Sequence, residues 1–204
     1  MEALLYWAGM AAVAVNAITG VLEAERKHMD MVGAITVATA TAIGGGTLRD
    51  VLLNREVFWV ADQAYLATAI AVAVLTFFWA RQRPISEQLF LYPDAVGLAL
   101  FSVVGAQAAL QWHAPWLVAS VMGVVTGVFG GVLRDVFCNQ VPLIFLPGEL
   151  YATVAWVGAL TLIGLQELGV DGTTAAWVAM AVILVLRAAA IRFRIRLPTF
   201  NAPS

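Results

Sequence analysis

The organisation of this chain follows from a ten-residue stretch that occurs twice. The copies read Gly45-Gly46-Thr47-Leu48-Arg49-Asp50-Val51-Leu52-Leu53-Asn54 and Gly130-Gly131-Val132-Leu133-Arg134-Asp135-Val136-Phe137-Cys138-Asn139. The offset between them is 85 residues, and seven of the ten positions are identical. Each copy places glycines and an Arg-Asp pair inside an apolar segment. Because charge inside a membrane segment is costly, the pattern predicts a pair of functional sites rather than simple packing.

The composition indicates an integral membrane protein. Hydrophobic residues make up 62% of the chain and charged residues only 12%, whereas a soluble domain has about 25% charged residues. The single cysteine, Cys138, excludes an intrachain disulfide. The start, Met1-Glu2-Ala3, lacks the basic region of a signal peptide, so the first apolar run is interpreted as a retained span.

Seven apolar segments are close to the length of about 20 residues that crosses a bilayer. The predicted fold class is therefore an all-α integral membrane protein with seven transmembrane helices. The predicted spans are residues 3–22, 31–53, 57–80, 89–110, 116–137, 148–165 and 174–191.

The two motif copies lie on spans two and five and therefore run in opposite directions across the membrane. This predicts one transmembrane domain over residues 1–204, with repeat one at 3–80, an inverted repeat two at 89–165 and an extra helix at 174–191. On one side the loops and tail carry seven basic residues, and on the other they carry only Arg55. By the positive-inside rule the N-terminus is predicted outside and the C-terminus in the cytoplasm of a multi-pass cell (inner) membrane protein. The seven basic residues are Arg26, Lys27, Arg81, Arg83, Arg192, Arg194 and Arg196.

The glycines of the motif predict that spans two and five are broken. Each glycine in a helix interior costs about 1 kcal/mol relative to alanine, and here they cluster at Gly44, Gly45 and Gly46 and at Gly130 and Gly131. A break exposes carbonyls that lipid cannot satisfy, so it is tolerated only inside protein or beside water, for example along an ion path. The alternative is two intact helices that pack closely through small residues.

The Arg-Asp pairs admit two interpretations. Adjacent residues on a helix do not face each other, so we expect crossed pairs across the repeat, Arg49 with Asp135 and Arg134 with Asp50. Alternatively, Thr47 caps a second half-helix and Asp50 sits near its positive end.

Other polar residues give weaker signals. Asn54 and Asn139 end the repeated stretch and are either helix stops or mouth residues. Arg187 lies near the end of span seven, where it either snorkels to the interface or contributes to a mouth or gate. Three acidic residues near predicted span ends are expected to be solvated: Glu23, Asp94 and Glu149.

The doubled Gly-Gly-x-Leu-Arg-Asp-Val stretch and the three-plus-three-plus-one plan resemble the prokaryotic branch of the trimeric intracellular cation (TRIC) channels, also described as a glycine-transporter-like membrane family. The resemblance covers about residues 3 to 195. It implies a homotrimer with one pore per protomer, permeation of potassium and other monovalent cations, and a pore lined by kinked helices two and five. Those kinks map to Gly44, Gly45, Gly46, Gly130 and Gly131.

The expected function is therefore a homotrimeric, potassium-permeable cation channel. Carbonyls at the glycines and the hydroxyls of Thr41 and Thr126 would replace part of the hydration shell of the ion, with Arg49 and Arg134 offset by Asp50 and Asp135. The expected partners are further copies of the chain, membrane lipids and transient potassium or sodium, with no cofactor, no resident metal and no nucleic acid. The sequence shows neither a nucleophile-base constellation nor a phosphate loop, so we do not expect an enzyme.

Two alternatives come from other classes of protein. An alternating-access carrier could hold a small zwitterion such as glycine between the two helix breaks. A structural protein packed in lipid would leave the buried charges unexplained.

Overall fold

A computed structural model describes residues 1–82, 90–146 and 150–195, and this part of the chain contains helices and no strand. A short 3-10 turn, Leu143–Phe145, follows the sixth helix. The α-helices are α1 Glu2–Arg26, α2 Met31–Leu52, α3 Phe58–Ala61, α4 Gln63–Ala80, α5 Leu91–Gln111, α6 Trp116–Phe137, α7 Ala152–Glu167 and α8 Gly172–Phe193.

Six of these helices are long and apolar enough to cross a membrane: α1, α2, α4, α5, α6 and α8. The prediction of an all-α membrane protein is confirmed. The predicted sixth span, residues 148–165, corresponds to α7, whose 16 residues reach about 24 Å at 1.5 Å per residue, so the count of seven spans stays a prediction.

Two of the differences between the predicted and the observed boundaries involve acidic residues. The third span is divided at Asp62, whose carboxylate accepts a hydrogen bond from the Ala64 amide at 2.9 Å and starts α4. The first helix continues to Arg26, one turn beyond its predicted end. Glu23, predicted to be solvated, is consequently in the helix and only 1% exposed. Glu149 lies outside the described residues.

The ends of four helices repeat the offset of 85 residues. His28, Asn54, His113 and Asn139 follow α1, α2, α5 and α6, and all four have φ between 51° and 57°. This left-handed conformation ends a helix, and asparagine and histidine adopt it more readily than most residues. Asn54 and Asn139 are therefore helix stops, one of the two roles expected for them.

The helices pack as two groups around the pair α2 and α6. Helices α1, α2 and α4 share one core rich in alanine, whose buried members include Ala12, Ala38 and Ala73. Helices α5 and α7 share another core with α8, through residues such as Ala99 and Ile183. Helices α2 and α6 contact each other at the centre and join the two groups.

Candidate ion path at the crossing of α2 and α6

The glycines of the motif are the points where α2 and α6 touch. A Cβ atom at Gly45 would collide with the backbone carbonyl of Thr126, and one at Gly130 would collide with the carbonyl of Thr41. Thr41, which precedes Gly45 on α2, meets Gly130, which follows Thr126 on α6. The two helices therefore cross antiparallel. Glycine is required here because the two backbones lie too close for any side chain.

The predicted breaks at Gly44–Gly46 and at Gly130 and Gly131 are wrong, because both helices run without interruption through these residues. The intact-helix alternative is the observed one. Close packing of the two backbones compensates for the poor intrinsic helix propensity of glycine.

The threonines of the motif also serve the intact helices. The hydroxyls of Thr41 and Thr126 donate to the carbonyls of Val37 and Met122, one turn earlier, at 2.7 and 2.6 Å. Thr47 donates to its own preceding turn and accepts from the Trp59 indole. Since no half-helix begins there, the expectation that Thr47 caps one is also wrong.

The prediction of ion pairs across the repeat, Arg49 with Asp135 and Arg134 with Asp50, is wrong as well. Arg49 donates to its neighbour Asp50 through Nε at 2.8 Å and through Nη2 at 3.0 Å. Arg134 donates through Nε to its neighbour Asp135 at 2.9 Å. The expectation failed because an arginine side chain is long enough to fold back along the helix surface and reach the following residue, although the two Cα–Cβ bonds diverge.

Each aspartate also accepts a hydrogen bond from a backbone amide, and the two amides are 85 residues apart. Asp50 accepts a hydrogen bond from the amide of Phe58 at 3.0 Å, at the start of α3. Asp135 accepts one from the amide of Leu143 at 2.9 Å, at the start of the 3-10 turn. Each carboxylate therefore joins a buried arginine to the segment that follows its helix.

The two arginines differ in their surroundings. Arg134 is fully buried, with its Nη1 2.7 Å from Asp94 and its guanidinium 4.3 Å from the centre of the Phe90 ring. Asp94, predicted to be solvated, is 2% exposed. The sequence did contain a signal for it, because an acidic residue within an apolar span is by default a candidate for a functional role.

Arg187 lies close to the cluster formed by Arg134, Asp94 and Asp135. Its side chain is 2% exposed, donates to the carbonyl of Leu150 at 3.1 Å and lies 4.9 Å from the centre of the Tyr151 ring. The expectation that it snorkels towards the interface is wrong, since it is buried among protein groups.

Arg49 instead borders a cavity of about 530 Å³ that lies between the start of α1 and the end of α2. Arg55 lines the same cavity. Its Nε is 3.9 Å from Asp50, its Nη1 donates to the carbonyl of Ala108, and its guanidinium lies 5.4 Å from the Trp112 ring. Two arginines therefore share one aspartate at this end.

A second cavity, of about 350 Å³, lies where α1 ends and α2 begins, at the opposite end of these helices. Its wall includes Glu25, His28 and Arg81. Nearby, Glu23 accepts from Gln140 at 2.6 Å and from Arg26 at 3.1 Å. The two cavities, both with charged walls, thus lie towards opposite ends of α2, on either side of its glycines along the helix.

The family model described as a glycine transporter matches the chain twice, over residues 6–81 and residues 91–167. The two matches begin 85 residues apart, as the motif copies do. The inner membrane protein YadS of Escherichia coli (strain K12) is 40% identical over 200 residues, which cover 97% of this chain and 96% of that protein. The membrane protein YvgT of Bacillus subtilis (strain 168) is 30% identical over 191 residues, 89% of each protein.

Solved structures are equally similar. The TRIC trimeric intracellular cation channel orthologue from Rhodobacter sphaeroides is 38% identical, with a TM-score of 0.88 and coverage of 93% of this chain and 97% of that one. The chain belongs to the prokaryotic branch of the TRIC family. A further structure, from work on conductance through TRIC cation channels, is 30% identical, with a TM-score of 0.87 and coverage of 97% of each chain.

Membership of the TRIC family confirms two expectations at a coarse level. The relatives are membrane proteins and channels rather than enzymes, as expected for this chain. Together with the six apolar helices, they establish a multi-pass membrane protein.

Proposed function

We propose that the protein is a homotrimeric channel for monovalent cations, with potassium as the main ion and one path per protomer along α2 and α6. The observation that carries the proposal is a pair of buried Arg-Asp sites on two helices that cross antiparallel at their glycines, with a cavity towards each end of α2. The similar solved structures, which are those of TRIC cation channels, support the same function.

The neutralised arginines are a requirement for cation conduction. A cation about 4 Å from an uncompensated arginine would be repelled by roughly 4 kcal/mol at an effective dielectric constant near 20. Asp50 and Asp135 offset this repulsion, each through its direct hydrogen bonds to the adjacent arginine. Asp94 adds a second carboxylate at Arg134, whereas Arg55 adds a second positive charge at Asp50, so the arginine charge is more fully compensated at Arg134 than at Arg49.

The proposed path includes the ridge of Thr41, Gly45 and Arg49 and its counterpart Thr126, Gly130 and Arg134. The remaining proposed path residues are Gly44, Gly46, Asp50, Gly131 and Asp135. Asn54, Asn139 and Arg187 are proposed near its mouths. In the described conformation the glycines pack against the opposite backbone, so conduction requires the crossing to loosen.

The test compares two activities of the purified protein in the same liposomes. We expect unitary potassium currents after fusion with a planar bilayer, and no saturable uptake of labelled glycine. Native mass spectrometry of the same preparation should give the mass of three chains. Glycine uptake without unitary currents would identify the protein as a glycine carrier and not a channel. A monomeric mass would contradict the homotrimer.

A further inference from the structure

The internal repeat allows each end of the molecule to be compared with the other. The two halves share one register: Gly20 and Gly105, 85 residues apart, lie against the hydroxyl groups of Thr41 and Thr126, which are also 85 residues apart. By the same register, Leu5 of α1 corresponds to Phe90, and Gly9 corresponds to Asp94 of α5. Part of the difference between the surroundings of Arg49 and those of Arg134 can therefore be traced to these replacements, although the Phe58 ring also lies 5.8 Å from the Arg49 guanidinium.

At Arg134, the side chains of Phe90 and Asp94 fill the space beside the guanidinium. The Asp94 carboxylate binds Nη1 at 2.7 Å, and the Phe90 ring covers the guanidinium. The small space that remains beside Arg134 and Tyr151 is too narrow for a water molecule. This arginine therefore has two carboxylate partners, Asp94 and Asp135, both supplied by the chain.

At Arg49 the corresponding positions leave space. Leu5 and Gly9 line the cavity of about 530 Å³, together with Arg49 and Arg55. Within the described part of the chain, the hydrogen bonds of Arg49 use Nε and Nη2, both to Asp50. Its Nη1, the atom that corresponds to the one bound by Asp94, makes no hydrogen bond to the described residues and keeps both of its N–H groups as donors.

Beside the buried guanidinium of Arg49 the local charges favour an anion, whereas Glu2 and Asp62, which accepts from the lining residue Tyr6, are acidic groups elsewhere around the cavity. Arg49 and Arg55 together carry two positive charges beside the single carboxylate of Asp50. Glu2, which also lines the cavity, is exposed at the beginning of α1. The Tyr65 hydroxyl would be 3.3 Å from a Cβ atom at Gly9, so it is close to where a carboxylate at that position would lie.

We propose that this cavity binds a small carboxylate anion, whose oxygen accepts from Arg49 Nη1 as Asp94 accepts from Arg134. Hydrogen bonds between a guanidinium and a carboxylate are among the stronger ones in proteins, and they gain strength away from bulk water. The Tyr65 hydroxyl donates to the second oxygen, and Arg55 adds attraction at the rim. Binding at this site does not require the protein to conduct ions.

The experiment measures thermal unfolding of the purified protein in a non-ionic detergent while sodium acetate replaces sodium chloride at constant ionic strength. Because a ligand that binds only the folded state raises the unfolding midpoint, we expect a saturable rise with acetate. Sodium phosphate serves as the larger oxyanion, and phosphatidylglycerol added to the micelles tests a lipid headgroup. A rise with either of these but not with acetate would overturn the carboxylate assignment.

Two variants introduce beside Arg49 the residue types that lie beside Arg134. Gly9→Asp supplies the carboxylate of the chain itself, and Leu5→Phe supplies the ring, so each should remove the acetate-dependent rise. Arg49→Gln should weaken acetate binding about tenfold or more, the worth of a charged hydrogen bond. Gly164→Asp is the matched control, because Gly164 has open space around it, and it should retain the response.

The variants remain informative if one of them folds poorly. Leu5→Phe changes no charge and tests the same cavity as Gly9→Asp. An unchanged acetate response in a folded Gly9→Asp or Leu5→Phe protein would overturn the proposal. Equal midpoints in acetate and chloride for the unmodified protein would overturn it as well.

Discussion

At the scale of single residues, the buried charges of this protein are neutralised by their nearest neighbours in sequence. Arg49 is 5% exposed and Asp50 is fully buried, and the aspartate also holds the first amide of α3. Asp50 therefore has two tasks, charge compensation and attachment of a segment, and Asp135 has the same two at the other end.

This arrangement predicts the result of a double-mutant cycle. Asp50→Asn should destabilise the protein by about 3–5 kcal/mol, because it leaves the Arg49 charge buried with less compensation. Arg49→Gln in the same chain should recover part of that loss. The measurement is the unfolding free energy of the four proteins in detergent.

The matched control is the crossed pair, Arg49→Gln with Asp135→Asn. These residues share no hydrogen bond, so their effects should add to within about 0.5 kcal/mol. Strong coupling in the crossed pair, together with additivity for Arg49 and Asp50, would contradict the observed pairing.

At the scale of helices, the contact between α2 and α6 depends on two glycines that have no room for a side chain. Gly45 and Gly130 each face a backbone carbonyl of the other helix. A carbonyl cannot rotate away as a side chain can, so the helices themselves must separate to admit even a methyl group.

We therefore expect Gly45→Ala and Gly130→Ala each to destabilise the protein by about 1–3 kcal/mol through overpacking. This is opposite to the effect of the same change in an ordinary helix, where alanine is preferred by about 1 kcal/mol. Thermal unfolding in detergent measures it. The control is Gly164→Ala, in open space on α7, which should be neutral or slightly stabilising; a similar gain at Gly45 would show that the crossing tolerates a side chain.

At the scale of the whole molecule, the distribution of basic residues predicts the orientation in the membrane. The end of α1 and the loop that follows it carry Arg26 and Lys27, whereas the turn between α7 and α8 carries neither lysine nor arginine. The positive-inside rule then places Lys27 in the cytoplasm and Leu168 outside.

Cysteine labelling of intact cells tests this orientation. In a Cys138→Ser background, Leu168→Cys should react with an impermeant thiol reagent added outside, because Leu168 is 81% exposed. Lys27→Cys should react only after the cells are permeabilised. The reverse pattern would place the N-terminus in the cytoplasm.

The sequence by itself determined the class of protein, the positions of the helices and the internal repeat. These follow from hydrophobic content, segment length and self-similarity, which are local properties of the chain. The two asparagine helix ends were also within reach, because a left-handed residue after a helix is a local requirement.

Only the tertiary structure decided how the glycines, arginines and aspartates are used. A glycine cluster in a sequence is compatible with a break or with a close crossing, and the choice depends on the carbonyls of Thr41 and Thr126, which another helix supplies. Likewise, Asp94 is solvated or buried according to whether Arg134 lies beside it, and these residues are 40 positions apart. Such contacts between distant parts of the chain have no local signature, so the two copies of one motif could become a sealed ion-pair cluster and the wall of an open cavity.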